Sequence, residues 1–291
     1  MKENIGQAIQ QLRIDKGLKL KELCSNTMSV SQLSDIENGK KMPSAEKIIK
    51  LLSNLNVSYD EFILFLNDEY LKIKLMVEKR LRELIKLKNK EGLRRLAKDS
   101  KKYFREYDDT YFKHVELISC AIIQLIESNN DYHAARKHLQ PIREYLSKIE
   151  NYHFYELSLI CNCLFMFEIE SAIFLGERVL RSIEKNYSFY RNIEIACVLL
   201  NNLAVYSLDY AQHYYLALKY SQISEDIAHT SHDAAKALYA KIIRQLAYFK
   251  LENGKFDKDY LKTLIDIFKV LDWNEEHQYI QKIINKHEIT L

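Results

Sequence analysis

The stretch from Met28 to Ser44 reads MSVSQLSDIENGKKMPS. Leu33 and Ile36 sit at helical spacing and are expected to face a core. The side chains turned away from them are Val30, Ser31, Ser34 and Asp35. A hydroxyl donates or accepts, a carboxylate accepts, and a branched methyl offers an apolar contact. That set suits the reading of hydrogen-bonding edges rather than bond making. The helical part, up to Asn38, holds no Lys or Arg and carries two acids, Asp35 and Glu37. Cations flank it instead: Lys19 and Lys21 before it, Lys40 and Lys41 after it.

Other reactive side chains make weaker patterns. His229 and His232 form H-x-x-H within HTSHD, but no further ligands accompany them, so a solvated loop is expected rather than a metal site. Cys24, Cys120, Cys161, Cys163 and Cys197 are odd in number and lack zinc spacing. They read as reduced thiols, mostly in cores. No phosphate-cradling glycine loop or nucleophile elbow occurs. Nothing points to an enzyme, a cofactor or a metal.

The elements that must hold these residues are helices. The chain has 291 residues with only 6 Gly and 2 Pro, between long runs rich in Leu, Ile, Lys, Glu and Tyr. Few breakers and many helix formers predict an all-α protein. Residues 1–66 divide into five short helices. The first runs near Ile5 to Lys16 and ends at Gly17; the second covers Leu20 to Asn26. Ser29 and Gln32 make a capping box that opens the third, and Gly39 stops it. Pro43-Ser44 starts the fourth, and Ser58 with Glu61 is a second capping box opening the fifth. Residues 67–71 read as a short helical linker, because no Gly, Pro or Ser cluster occurs there.

From residue 72 to 291 the chain reads as helix pairs. Asn201–Ala228 and Arg244–Leu271 resemble divergent tetratricopeptide repeats, with Ala204 and Ala247 as the small residues that let paired helices approach. Tyr111–Ser128 with Tyr132–Ile149 follow the same rhythm. The last helix, Trp273 to His287, is expected to cap the array or pack on a partner.

Charge is unevenly placed. The net value is +3, yet residues 71–105 hold fourteen Lys/Arg against four Asp/Glu, while residues 1–66 hold nine against eight. The basic segment alternates with Leu, so a solvated face over a packed one is the default reading. The polar start, MKENIGQAIQQ, argues against a signal peptide, and no stretch approaches the roughly 18 apolar residues of a membrane span. A cytoplasmic protein is expected.

Gly17-Leu18, Glu22-Leu23, Ser29-x-Ser31-Gln32-Leu33-Ser34, Ile36-Glu37-x-Gly39 and Pro43-Ser44 form an ordered set. This set resembles the five-helix, phage-repressor-type helix-turn-helix domain of the XRE family. The resemblance implies that the third helix lies in the major groove and the second crosses the DNA backbone. Val30, Ser31, Ser34 and Asp35 are then base-contact candidates. Gln32 both caps and meets phosphate, and Lys19, Lys21, Lys40 and Lys41 reach the backbone. The resemblance also implies an Arg13–Glu37 ion pair tying the first helix to the end of the third, with Arg13 near a phosphate. The chain departs from the family at Lys19, where a Thr or Ser usually caps the second helix.

A narrower resemblance spans most of the chain. SVSQLSDIENG followed by LNVSYDEF, then YLSKIENYHFYELSLICNCLF, then IFKVLDW are similar to the Rgg/MutR regulators of Gram-positive bacteria. This implies a homodimer that binds promoter DNA and is controlled by a short hydrophobic signalling peptide held by the repeats. Some members carry a Cys near the start of the fourth helix that bridges two DNA-binding domains; the matching residue here is Ala45, so no such bridge is implied. First helices of repeat pairs line a concave side. Asn202 and Gln245 fall at such positions, Asn162 is an amide inside an apolar helix, and Tyr206 and Phe249 are nearby apolar walls. Amides bond a peptide backbone whatever its sequence. The alternative is that each amide satisfies a neighbouring helix or loop. A second reading of the whole chain is a protein-interaction regulator, whose repeats bind a partner protein and whose DNA binding is tethering.

Overall fold

A computed structural model describes residues 2–24, 27–66, 68–128, 131–164, 167–186, 190–209, 212–252 and 254–289. Among them it is built of helices, with no strand. They are α1 (Lys2–Asp15), α2 (Leu20–Cys24), α3 (Val30–Glu37), α4 (Ala45–Leu55), α5 (Tyr59–Phe65), α6 (Glu69–Lys86), α7 (Lys90–Tyr107) and α8 (Thr110–Glu127). There follow α9 (Tyr132–Lys148), α10 (Phe154–Cys163), α11 (Ile169–Asn186), α12 (Tyr190–Asp209), α13 (Tyr214–Thr230), α14 (Ala234–Lys250), α15 (Lys258–Val270) and α16 (Asn274–Lys286). The chain divides into two compact units, Met1–Asn89 with Lys102–Asp109, and Lys90–Lys101 with Thr110–Leu291.

In the first unit, local signals set the helix ends. Ser29 and Ser58 each accept a hydrogen bond from the backbone N–H three residues on, and Gln32 and Glu61 reach back to complete both capping boxes. Gly17 and Gly39 adopt φ of +68° and +70°, the left-handed turn that ends α1 and follows α3. With so few glycines, other helix ends use Asn56, Lys88, Asp108, His232, Glu252 and Asp272 at positive φ. Ile9, Leu12, Leu23, Leu33, Ile36, Leu51, Leu55 and Phe62 are buried together. Each contributes roughly 1.5–3 kcal/mol of apolar burial. Gly6 lets α1 approach α3: a Cβ there would lie 2.1 Å from the Ile36 carbonyl oxygen.

The expected helical linker is interrupted. α5 ends at Phe65, Leu66 is extended, and Asp68 accepts from the Leu71 N–H at 3.2 Å to start α6 afresh. An N-cap carboxylate competes for the backbone N–H groups that a continuous helix would use. Asn67 of that linker and Asn26, the expected end of the second helix, lie outside the described residues.

The second unit is the helical array expected from the repeats. α8 and α9 pack together as one pair, the Asn201–Ala228 segment falls on α12 and α13, and Arg244–Leu271 falls on α14 and α15. Ala204, Ala217, Ala240 and Ala247 are fully buried where helices meet, while Tyr220 and Phe268 fill the space between. At the end of the array, α16 is tied to the last residue of α12. His287 Nε2 lies 2.6 Å from Asp209 Oδ1, and Lys286 Nζ donates to Asp209 Oδ2 at 3.1 Å.

Candidate functional site

Two sites emerge, one in each unit. The first is the exposed side of α3. Arg13 holds it from behind. Its Nε donates to Glu37 Oε1 and its Nη2 to Glu37 Oε2, both at 2.7 Å, while Nη1 donates to the Leu18 carbonyl at 2.8 Å. The Arg13 and Glu37 side chains are only 12% and 2% exposed. The bond to Glu37 raises the guanidinium above its ordinary value, so Arg13 stays charged. Three of the five N–H donors of Arg13 are thus engaged, and two remain.

On the outer face, Val30, Ser31 and Gln32 are exposed at the N-terminal turn of α3. Gln32 Oε1 accepts from the Ser29 N–H at 3.4 Å, which leaves the NH2 group of this exposed side chain available as a donor. Ser34 and Asp35 are half-buried. Ser34 accepts from Asn38 Nδ2, and Asp35 pairs with Lys41 at 2.7 Å. That bond holds the Asp35 carboxyl below the usual range. The Asp35 carbonyl also receives the Lys40 and Lys41 N–H groups, which folds the loop after Gly39 back over the end of α3. Sequence reasoning missed the Asp35–Lys41 pair, whose only signal is the six-residue spacing across a glycine turn.

Lys19, Lys21, Lys40 and Lys41 are all exposed around this face. The departure at Lys19 has a local solution. Its N–H donates to Glu22 Oε2 at 2.6 Å, so a carboxylate three residues on closes the start of α2 without a Ser or Thr. The basic segment 71–105 buries Val77, Leu81, Leu84, Leu93 and Leu96 and turns its charges outward. Many are paired there: Arg82 with Glu78, Arg94 with Glu91 and Glu127, and Lys74 with Asp109.

The second site is a cavity of about 480 Å³ between α10, α12 and α16. From α12 it is lined by Asn202, Val205, Tyr206 and Asp209. From α16 come Tyr279, Lys282, Ile283 and Lys286, and from the end of α10 Cys161 and Leu164. The volume falls in the range of small-ligand pockets, about 300–1,000 Å³. The Tyr206 hydroxyl donates to the Phe167 carbonyl at 2.6 Å, so its ring is fixed as a wall. Asn202 is exposed into the opening. Burial pushes the Cys161 thiol up to about 12, which keeps it neutral.

Of the residues singled out for a peptide, the structure brings Asn202 and Tyr206 together here. Asn162 is half-buried on α10 and is not part of the lining. Gln245 is buried, and its Oε1 accepts from the Asp257 N–H at 3.0 Å, bracing the connection from α14 to α15. Phe249 packs edge-on against Phe256 with centroids 5.1 Å apart. The contribution of α16 went unread in the sequence, although Tyr279, Lys282, Ile283 and Lys286 have the spacing of one helix face.

A further cavity of about 420 Å³ lies between α13, α14 and α15, beside His229, His232, Lys241 and Trp273. His229 is still helical and approaches Glu225 at 3.5 Å. No group of three His, Cys, Asp or Glu among the described residues is placed to hold a metal. No described helix is long and apolar enough to cross a membrane.

Comparison with known proteins places both units. A helix-turn-helix family model matches residues 9–62. The model for the C-terminal domain of the HTH-type transcriptional regulator Rgg matches residues 93–282. A crystallised chain from Listeria monocytogenes superposes with a TM-score of 0.80 at 20% identity, covering 100% of both chains. Rgg2, the SHP pheromone receptor of Streptococcus dysgalactiae, gives 0.72 at 22% identity over 98% of this chain and 100% of that one. PlcR of Bacillus thuringiensis, solved with the peptide PapR7 and DNA, gives 0.66 at 16% identity over 97% and 99%. At these identities the likeness establishes a shared fold.

Proposed function

The chain belongs to the Rgg family of HTH-type transcriptional regulators, and we propose that it binds promoter DNA as a homodimer under the control of a short hydrophobic peptide. The observation that carries the DNA reading is the outer face of α3. It offers Val30, Ser31 and the Gln32 amide, exposed, from a helix pinned by the buried Arg13–Glu37 pair. A reading helix must be rigid to discriminate base edges, and phosphate contacts are delegated to Lys19, Lys21 and Lys40 around it. Ser34 and Asp35 join the reading if Lys41 exchanges its carboxylate for a DNA phosphate.

One domain of such modest charge makes few phosphate contacts. Two linked copies raise the effective concentration of the second, with half-sites about one helical turn, roughly 34 Å, apart. The peptide acts from the cavity beside Asn202 and Tyr206, and regulates only by binding two states of the protein unequally. The protein then works in the cytoplasm.

The test is binding of the full chain to the DNA upstream of its own and neighbouring genes, across salt concentrations. A sequence preference with a steep salt slope is expected, and short hydrophobic peptides encoded beside the gene should shift that affinity. Flat, sequence-blind binding would remove the DNA reading. Peptides without effect on affinity or stability would remove the sensing one.

A further inference from the structure

The two long walls of the α12–α16 cavity are unlike in charge. α12 presents Asn202, Tyr206 and Asp209; α16 presents Tyr279, Lys282 and Lys286. Asp209 is already matched, by His287 at 2.6 Å and by Lys286 at 3.1 Å. That leaves Lys282, one turn before Lys286 on the same face. Lys282 lines the cavity and has no carboxylate partner among the described residues. Nothing else in the lining supplies an anion. Cys161 is neutral, because burial disfavours the thiolate. Asn202, across on α12, is exposed and has no hydrogen-bond partner among the described residues.

We infer that the cavity takes a ligand carboxylate on Lys282, with the Asn202 carboxamide bonding the neighbouring peptide group. This rests on the peptide reading above and names the chemistry at one end of that peptide. The carboxylate has two possible sources, a free C-terminus or an Asp or Glu side chain. The apolar walls, Val205, Tyr206 and Ile283, then cover the adjoining side chain. The volume suits a few residues at one end rather than the full length of an extended peptide.

The experiment uses the full chain and the short hydrophobic peptides encoded beside its gene, each labelled at the N-terminus and followed by fluorescence anisotropy. Each is made in three forms: free acid, C-terminal amide, and free acid with Asp and Glu replaced by Asn and Gln. Each form is titrated into the parent protein, Lys282→Gln and Lys282→Arg. Lys282 is exposed, so both variants keep the fold, checked by far-UV circular dichroism. The form lacking the recognised carboxylate should bind the parent about three- to tenfold more weakly, with the gap closing as salt rises. Lys282→Gln should weaken the parent peptide by the same factor, leave that neutral form unaffected, and be rescued by Lys282→Arg. Equal binding of all three forms would overturn the inference while leaving peptide binding intact. So would a Lys282→Gln loss shared equally by every form. If none of the peptides binds, the sensing reading itself falls and the inference falls with it.

Discussion

Replacing Glu37 by Ala removes both acceptors of a bidentate pair whose two bonds are 2.7 Å long. Arg13 then keeps only the Leu18 carbonyl, in a place where its side chain is 12% exposed. Water cannot solvate the abandoned guanidinium fully there. Breaking a buried pair from one side costs about 3–5 kcal/mol. A five-helix segment of this length has a total stability of roughly 3–10 kcal/mol, from roughly 0.05–0.15 kcal/mol per residue. Glu37→Ala should therefore bring α1 and α3 to the edge of unfolding, with the second unit still folded. Urea unfolding of the full chain should show an early transition, and hydrogen exchange should lose protection in α1 and α3 but not in α12 to α14. The double change Arg13→Met with Glu37→Leu removes both charges and should recover most of the loss, because apolar side chains need no partner. DNA affinity should fall in the single variant in step with the unfolded fraction. A cost below about 1 kcal/mol, or a double variant no better than the single one, would refute the claim that this pair pins α3.

Two further outcomes follow from the packing and the charges. Gly6→Ala places a methyl against the Ile36 carbonyl, which is backbone and cannot rotate away; a loss of about 1–3 kcal/mol is expected, read as an earlier first transition in urea. Burial alone would raise the Asp209 carboxyl, but the bonds from His287 and Lys286 outweigh it and hold the group below its ordinary value. Its stabilising effect is thus whole above the unfolded value of about 3.9 and fades as pH falls through the lower folded one. Protection of α16 against hydrogen exchange should persist down to about pH 4 and decline below it. Asp209→Asn should weaken that protection at neutral pH and flatten its acid dependence.

What the sequence determined by itself is mostly local. Ser29 with Gln32, Ser58 with Glu61, and the glycines at 17 and 39 act within three or four residues, so helix ends are legible without knowing the fold. Periodic Leu and Ile likewise mark which face is buried, and small residues such as Ala204 and Ala247 mark where helices touch. Even the Arg13–Glu37 pair was legible, though only through resemblance to a known domain. The cap by Glu22 and the Asp68 break were within reach, as both act over three residues, but a carboxylate at those positions has several possible uses.

The tertiary structure alone decided which polar groups remain free for a ligand. Gln245 and Asn202 read alike in sequence, yet Gln245 is spent on the Asp257 backbone and Asn202 faces a cavity. Asp35 and Lys41 found each other only when the loop after Gly39 folded back. The cavity needs α16 set against α12, and the contact that sets it joins Lys286 to Asp209, 77 positions apart. Hydrophobic periodicity says that a helix face is buried but carries no address for its partner. That address is fixed by shape and charge matching across the folded chain, which is why Lys282 became visible as a site only in three dimensions.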